Sequence, residues 1–327
     1  MKICIVGAGA IGGFIGTRLA ASGKVQISAL ARGDTLAALR THGWRLQSGG
    51  ELVRAPVTAS DNAAELGVQD AVIIAVKGQS LPALAPSLGP LIGPDTVVLP
   101  AMNGVPWWFC RNVAELTNVT LESVDPGGVT AAAIPFGNVI GAVVHASVSV
   151  TEPGLARHNM GQGLIIGEPA GGPSDRVNRI GEALSGAGFD VTCAGDVRSD
   201  IWYKLWGNLT MNPISAMTGA TADRLLGDPL VRDFCSAAMR EASAIGARIG
   251  CPIDQEPEDR HQVTAKLGAF KTSMLQDAEA GREIELDAIV GVVREIGAKV
   301  GVPTPNIDAL YGLTRLFGRS HGLYAGG

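Results

Sequence analysis

The segment 202–212, WYKLWGNLTMN, carries Lys204, Asn208 and Asn212 at four-residue intervals among large apolar neighbours. An α-helix turns about 100° per residue, so a four-residue step returns to nearly the same face and the three polar groups span a stripe of about 80°. Trp202, Leu205, Trp206 and Leu209 cover the other directions, as expected for a helix largely surrounded by protein. Burying an unpartnered amide costs about 2–7 kcal/mol, and an ammonium costs more. A row of three such groups is therefore expected to line a site rather than to serve packing. Desolvation lowers the pKa of a lysine, which suits Lys204 to proton donation near neutral pH. The plainer alternative is a water-facing polar stripe, because lysine and asparagine are normally exposed. Pro213 follows at once and is expected to kink or end the helix. Two later residues could complete the site. Ser273 lies in KTSMLQD, on a helical pattern, and Glu285 lies in GREIELD near the start of the next one. A carboxylate there gains from the helix dipole and could pair with a lysine. Both are also ordinary surface residues.

A second pattern lies at the start of the chain. Gly7-Ala8-Gly9-Ala10-Ile11-Gly12 fits G-x-G-x-x-G and stands between an apolar strand, Lys2–Val6, and a helical pattern, Ile11–Ala21. Gly7 allows the tight turn, Gly9 lets the backbone approach a pyrophosphate, and Gly12 lets the helix sit against the strand. The helix N-terminus then offers N–H groups and a partial positive charge to phosphates. The next strand, Val25–Ala31, runs out in Arg32 rather than in the acidic residue that grips the ribose of NAD. Arg32 can pair bidentately with a 2′-phosphate, which favours NADPH; nearby Asp34 keeps NAD open. Lys77 follows AVIIAV and Asn103 follows VVLPAM. Both therefore stand just past buried strands, where open α/β sheets bind ligands. Lys77 could hold a cofactor ribose or a substrate oxygen, and Asn103 the nicotinamide end or a carbonyl.

The elements that must position these residues fall into two groups. Short apolar runs alternate with helical patterns through the first half, giving an α/β, Rossmann-type, doubly wound sheet. Trp44–Ser48 and Leu52–Val57 flank Gly49-Gly50 and predict a hairpin. From Gly127 to Gly167 the runs VTAAAIPFG, VVHASVSVT and LIIGEP are expected to add strands to the sheet. After about Gly195 helices dominate, over Pro229–Ile249, Val263–Ala280 and Leu286–Val300. The expected domains are 1–195 for NADP binding and 196–327, all-helical, for substrate and catalysis.

Composition narrows the function classes. With 46% hydrophobic and 17% charged residues the chain is globular rather than disordered. A net charge of −5 without a basic block argues against nucleic acid. The five scattered cysteines contain no C-x-x-C pair, so neither a zinc site nor a disulfide framework is expected, and a cytoplasmic location follows as the simplest reading. The N-terminal apolar run mimics a secretory signal, but Arg18 interrupts it and its glycines serve the nucleotide turn. No other run reaches membrane length. The helical half carries enough apolar residues for a homodimer interface.

Taken together, GAGAIG, the strand-ending AR, the AVK and MNG segments, PGLARH…IIGEP, KLWGNLTMNPISA and SMLQD followed by EIELD resemble the ketopantoate reductase (2-dehydropantoate 2-reductase) family over nearly the whole chain. The resemblance implies a Rossmann domain, a helical domain and an active site in the cleft. It also implies NADPH-dependent reduction of 2-dehydropantoate to (R)-pantoate, on the route to pantothenate. Carried over by motif, Lys204 polarises the keto oxygen and donates the proton, while Glu285 holds the hydroxyl and orients Lys204. Asn208 and Asn212 bind substrate oxygens, Ser273 meets the carboxylate, Asn103 binds at the cofactor–substrate junction and Lys77 lies near the nicotinamide ribose. Two departures stand out: Gln79 lies one position before the family's usual glutamine, and Ile284-Glu285-Leu286-Asp287 replaces the commoner Thr-Glu-Ile-Asp. Three rival readings remain at this level. They are a reductase of another branched 2-keto acid, an opine-type imine reductase, and a catalytically silent NADPH-binding sensor.

Overall fold

The structure, a computed structural model of the chain, describes residues 1–325. It divides into two units. The first comprises Met1–Met102 and Gly128–Asp200; the second comprises Asn103–Gly127 and the chain from Ile201 onward. The chain thus enters the second unit twice. The later entry is at Ile201, and the earlier one, at Asn103, has no sequence signal.

The first unit holds ten strands in two sheets. A parallel sheet runs β5-β2-β1-β6-β7, with β1 Lys2–Val6, β2 Gln26–Leu30, β5 Thr58–Ser60, β6 Ala71–Ile74 and β7 Val97–Pro100. Every residue of β6 and β7 is buried, as their unbroken apolar runs require of strands covered on both faces. Because β1 pairs with β2 on one side and β6 on the other, the order reverses at β1. The carboxyl end of β1 is thus the switch point where such sheets bind ligands.

The second sheet runs β10-β9-β3-β4, with β8 paired to β9. Its strands are β3 Trp44–Ser48, β4 Glu51–Ala55, β8 Gly141–Glu152, β9 Leu155–Gly167 and β10 Asp190–Cys193. The expected hairpin is present: β3 and β4 pair antiparallel, and Gly49 and Gly50 take φ of 58° and 87°. Positive φ at both central residues is what a tight primed turn needs. The expectation for Gly127–Gly167 is corrected in two ways. The VTAAA run is a short helix, Val129–Ala133, entered from two left-handed glycines, as its alanines favour. The two long strands that follow build the second sheet instead of extending the first. One isolated bridge, Val98 to Val139, links this stretch to the first sheet.

The helix Ala10–Ser22 packs against both sheets, and two glycines make that possible. A Cβ on Gly16 would lie 2.6 Å from the Trp44 ring, and one on Gly13 would lie 3.1 Å from Ala156 Cβ. Phe14, Ile15 and Leu19 then share one core with Ile3, Ile5, Trp44, Leu46 and Leu164.

The second unit is helical. Its long helix spans Val197–Thr218, followed by Ala222–Gly227, Pro229–Arg248, Pro257–Ala265, Ser273–Glu279, Val292–Lys299 and Pro305–Ser320. Asp228 caps Pro229–Arg248, accepting from the N–H groups of Leu230 and Val231 at 3.0 and 3.1 Å. Three expectations are corrected. The long helix does not end at Pro213 but runs through it to Thr218. The helix expected over Val263–Ala280 is two, separated by a segment in which Gly268 takes φ of 62°. The helix expected over Leu286–Val300 opens with a π-turn, Asp287–Gly291. Among the described residues no helix is long and apolar enough to cross a membrane.

Candidate active site

Within the first unit, the glycine-rich turn closes β1 as the spacing predicts. Gly7 takes φ of +89° and donates its N–H to Leu30 O at 3.0 Å. A Cβ on Gly12 would lie 1.9 Å from the Gly7 carbonyl oxygen, so helix and strand touch through backbone alone. A Cβ on Gly9 would meet nothing within 4 Å. Gly9 is also the N-cap of Ala10–Ser22, with no side chain capping that helix and no acidic residue in its first turn. Open space before an uncapped helix N-terminus fits a pyrophosphate. Ala8 is buried beneath the turn, while Ala10 and Ile11 are half-buried on its rim. Arg32 is exposed at the N-cap of Gly33–His42, two residues past β2, with extended backbone (φ −137°). That places a guanidinium just past the carboxyl end of β2. Lys77 is half-buried three residues past β6, just ahead of the turn Gly78–Ser80.

Within the second unit, tryptophans set the rotation of the long helix. Trp202 Nε1 donates to Ala242 O at 3.2 Å and Trp206 Nε1 to Met239 O at 2.8 Å. Both carbonyls belong to Pro229–Arg248. Gly246 admits the first ring, since a Cβ there would lie 2.5 Å from Trp202 Nε1. On a helix these two positions project about 160–200° away from residue 204, so anchoring them turns Lys204 to the opposite side. Phe109, from the early entry into this unit, stacks on Trp202 with centroids 5.9 Å apart.

Lys204 Nζ donates to Asn103 Oδ1 at 3.0 Å. The loop carrying Asn103 is held by backbone. Gly104 takes φ of +81°, and a Cβ there would lie 2.1 Å from Ala288 O. That same carbonyl accepts the Val105 N–H at 3.0 Å. Ala288 sits inside the π-turn Asp287–Gly291, and Glu285 lies two residues before that turn. The π-turn therefore connects the segments carrying Asn103 and Glu285.

Three influences act on the Lys204 ammonium. Burial lowers its pKa most, the Glu285 carboxylate raises it, and the Arg260 guanidinium lowers it; the result falls from the usual 10.5 to about 8. The amine is thus a usable acid near neutral pH. Asn208 is half-buried and Asn212 is buried on the same stripe. Ser273 is exposed at the first residue of Ser273–Glu279. The structure thus brings Lys204, Asn103 and Glu285 into mutual influence. Sequence reasoning missed Arg260, for a lone arginine in a polar helix carries no signal of what it will face. It also missed Gly104, although MNG left that glycine in view.

Comparison with known proteins gives a consistent result. The family model described as ketopantoate reductase PanE/ApbA matches residues 3–171, and its C-terminal counterpart matches residues 196–317. A 2-dehydropantoate 2-reductase of Mesorhizobium japonicum is 43% identical, the match covering 99% of this chain and 100% of that protein. A crystal structure from Ralstonia solanacearum, of a protein assigned as a ketopantoate reductase, is 54% identical, with a TM-score of 0.96 and 99% of each chain covered. The crystal structure of 2-dehydropantoate 2-reductase from Methylococcus capsulatus is 27% identical, with a TM-score of 0.83 and 99% of each chain covered.

Proposed function

The chain belongs to the ketopantoate reductase family, and from that premise we propose that it is an NADPH-dependent oxidoreductase that reduces 2-dehydropantoate to (R)-pantoate, serving pantothenate synthesis in the cytoplasm. The observation that carries this reading is the desolvated Lys204 ammonium, held on Asn103 at 3.0 Å and tuned to about 8. Residues 1–195 hold the cofactor and residues 196–327 the substrate, with Asn103 lent to the second group.

Gly7, Ala8, Gly9, Ala10, Ile11 and Gly12 would cradle the pyrophosphate, Arg32 the 2′-phosphate, and Lys77 and Asn103 the nicotinamide end. When bound, NADPH supplies the hydride that adds to the keto carbon. Lys204 hydrogen-bonds the keto oxygen, stabilises the negative charge growing there and delivers its proton to that atom. Asn103 Oδ1 keeps the ammonium pointed while it is charged. The Glu285 carboxylate keeps it protonated at neutral pH and receives the product hydroxyl's hydrogen bond. By family resemblance Asn208 and Asn212 hold substrate oxygens and Ser273 meets the carboxylate.

The test is NADPH oxidation with 2-dehydropantoate, run beside other branched 2-keto acids with and without amines. Faster turnover of a different keto acid, or turnover only with an amine, would move the assignment to the rival reductases. Cofactor binding without turnover on any of them would move it to a sensor.

Two further outcomes are expected. Arg32→Ala raises KM for NADPH by about 10–100-fold, the worth of a charged hydrogen-bonded pair, and leaves KM for NADH nearly constant; steady-state kinetics with both cofactors checks it. Gly104→Ala lowers the urea midpoint, because its Cβ would lie 2.1 Å from Ala288 O at a φ of +81°, and in the protein that folds it lowers kcat about 100-fold, because displacing the Asn103 loop by even 1 Å spoils alignment. A homodimer is also part of this reading. Leu313 and Leu316, 60% and 64% exposed on Pro305–Ser320, offer it an apolar face, and light scattering of the purified protein checks it.

A further inference from the structure

One glycine on the long helix makes room for a second cation. Gly207 lies between Lys204 and Asn208 in sequence, and a Cβ there would lie 2.6 Å from Arg260 Nε and 2.9 Å from Nη2. The Arg260 guanidinium therefore rests directly on the helix that carries the lysine. It also lies 5.0 Å from the centroid of the Tyr203 ring, in cation–π contact. Its helix, Pro257–Ala265, is fixed around it. Glu256 and Asp259 form a reciprocal cap, Tyr203 Oη donates to Gln255 Oε1 at 2.9 Å, and buried His261 bonds Ser236 Oγ at 2.9 Å.

The arginine is held in place yet not matched with an anion. Its Nε is buried with no hydrogen-bond partner, and no ion pair includes Arg260 among the described residues. Buried donors are rarely left so, and each one asks for an explanation. The placement also acts against the lysine, because a neighbouring cation disfavours the charged ammonium. Lys204 thus feels one carboxylate, Glu285, and one further cation, Arg260. A guanidinium is planar and suits a carboxylate bidentately, whereas the Ser273 assigned to that group by resemblance has only a neutral hydroxyl to give.

Resting on the reductase reading above, we propose that Arg260 is the substrate-binding residue that grips the carboxylate of the 2-keto acid while Lys204 takes the adjacent keto oxygen. The two packed helices, Val197–Thr218 and Pro257–Ala265, would then read the two ends of the α-keto acid unit between them, and Arg260 would set the preference for keto acids over neutral ketones.

The test compares 2-dehydropantoate with its neutral lactone, which keeps the keto carbon and masks the carboxylate. Arg260→Ala is expected to lower the acid-over-lactone ratio of kcat/KM by about 10–100-fold, chiefly through KM for the acid, as loss of a charged pair does. Arg260→Lys, which restores charge without the fork, recovers part of that ratio. The alkaline limb set by Lys204 moves upward in Arg260→Ala, because a neighbouring cation is gone. A ratio unchanged in Arg260→Ala, or equal losses on both substrates, would reduce the arginine to a prop for Tyr203 and overturn the inference. Titration with oxamate, a non-reacting mimic of the keto acid unit, separates the two layers. If the wild type reduces no keto acid, the reductase reading falls. Weaker oxamate binding by Arg260→Ala then still upholds the anion site, and equal binding removes it.

Discussion

Lys204→Ala is expected to lower kcat for 2-dehydropantoate by about 10²–10⁴-fold, the usual worth of a positioned general acid. NADPH binding should persist in this variant, because the glycine turn and Arg32 lie in the other unit. The wild-type pH profile carries the same assignment. Burial, opposed by Glu285 and aided by Arg260, holds the ammonium at about 8. Lys204 must be protonated to act, so kcat is full below that pH and falls as pH rises through it, by about tenfold per unit once the amine is mostly neutral. An exposed lysine would keep the rate to about 10. Single-turnover rates from pH 6 to 10, for wild type and Lys204→Ala, test both statements. A mutant that reduces the keto acid at the wild-type rate would remove the lysine from the mechanism.

Two alanine substitutions in one six-residue turn should fail in opposite ways. In Gly12→Ala the new methyl would sit 1.9 Å from the Gly7 carbonyl oxygen, with Ile5 Cγ2 at 3.0 Å behind it. Backbone cannot rotate aside as a side chain can, so the helix must lift from β1. Overpacking of this kind costs about 1–3 kcal/mol or more, which should appear as a lower urea midpoint even without ligand. Gly9→Ala meets nothing within 4 Å, and its only local cost is a ψ of −147° that alanine adopts less readily than glycine. Its urea midpoint should fall much less than that of Gly12→Ala. The methyl instead enters the space before the helix N-terminus, and NADPH affinity should drop by about 100-fold through lost backbone–phosphate approach. Urea unfolding beside a fluorescence titration of NADPH distinguishes the two. If Gly9→Ala binds NADPH normally, the pyrophosphate does not lie at this turn.

Periodicity and glycine chemistry made much of this molecule legible beforehand. The turn Gly7–Gly12 was readable because Gly7 answers a local demand for a tight turn and Gly12 for a close helix–strand contact. The hairpin at Gly49-Gly50 was readable because two adjacent residues of positive φ leave few alternatives. The tract from Gly127 to Gly167 misled for the same physical reason in reverse. Its alanines and β-branched residues suit either state, and pairing into a second sheet was settled by the partners β3 and β10, far along the chain. Val263–Ala280 kept a helical composition across a break at Gly268.

The sequence by itself determined that a glycine-rich strand-to-helix turn precedes a helical half, and that Lys204, Asn208 and Asn212 share one stripe, since both follow from dihedral preferences and a fixed helical pitch. Tertiary structure decided which way that stripe faces, through the Trp202 and Trp206 anchors on Pro229–Arg248. It also decided that Asn103 crosses into the helical unit to meet the lysine, that a π-turn carbonyl holds its loop, and that Arg260 comes to rest on Gly207. These are contacts between residues far apart in the chain. No local propensity encodes them, because their free energy exists only once the surrounding helices have packed and excluded water.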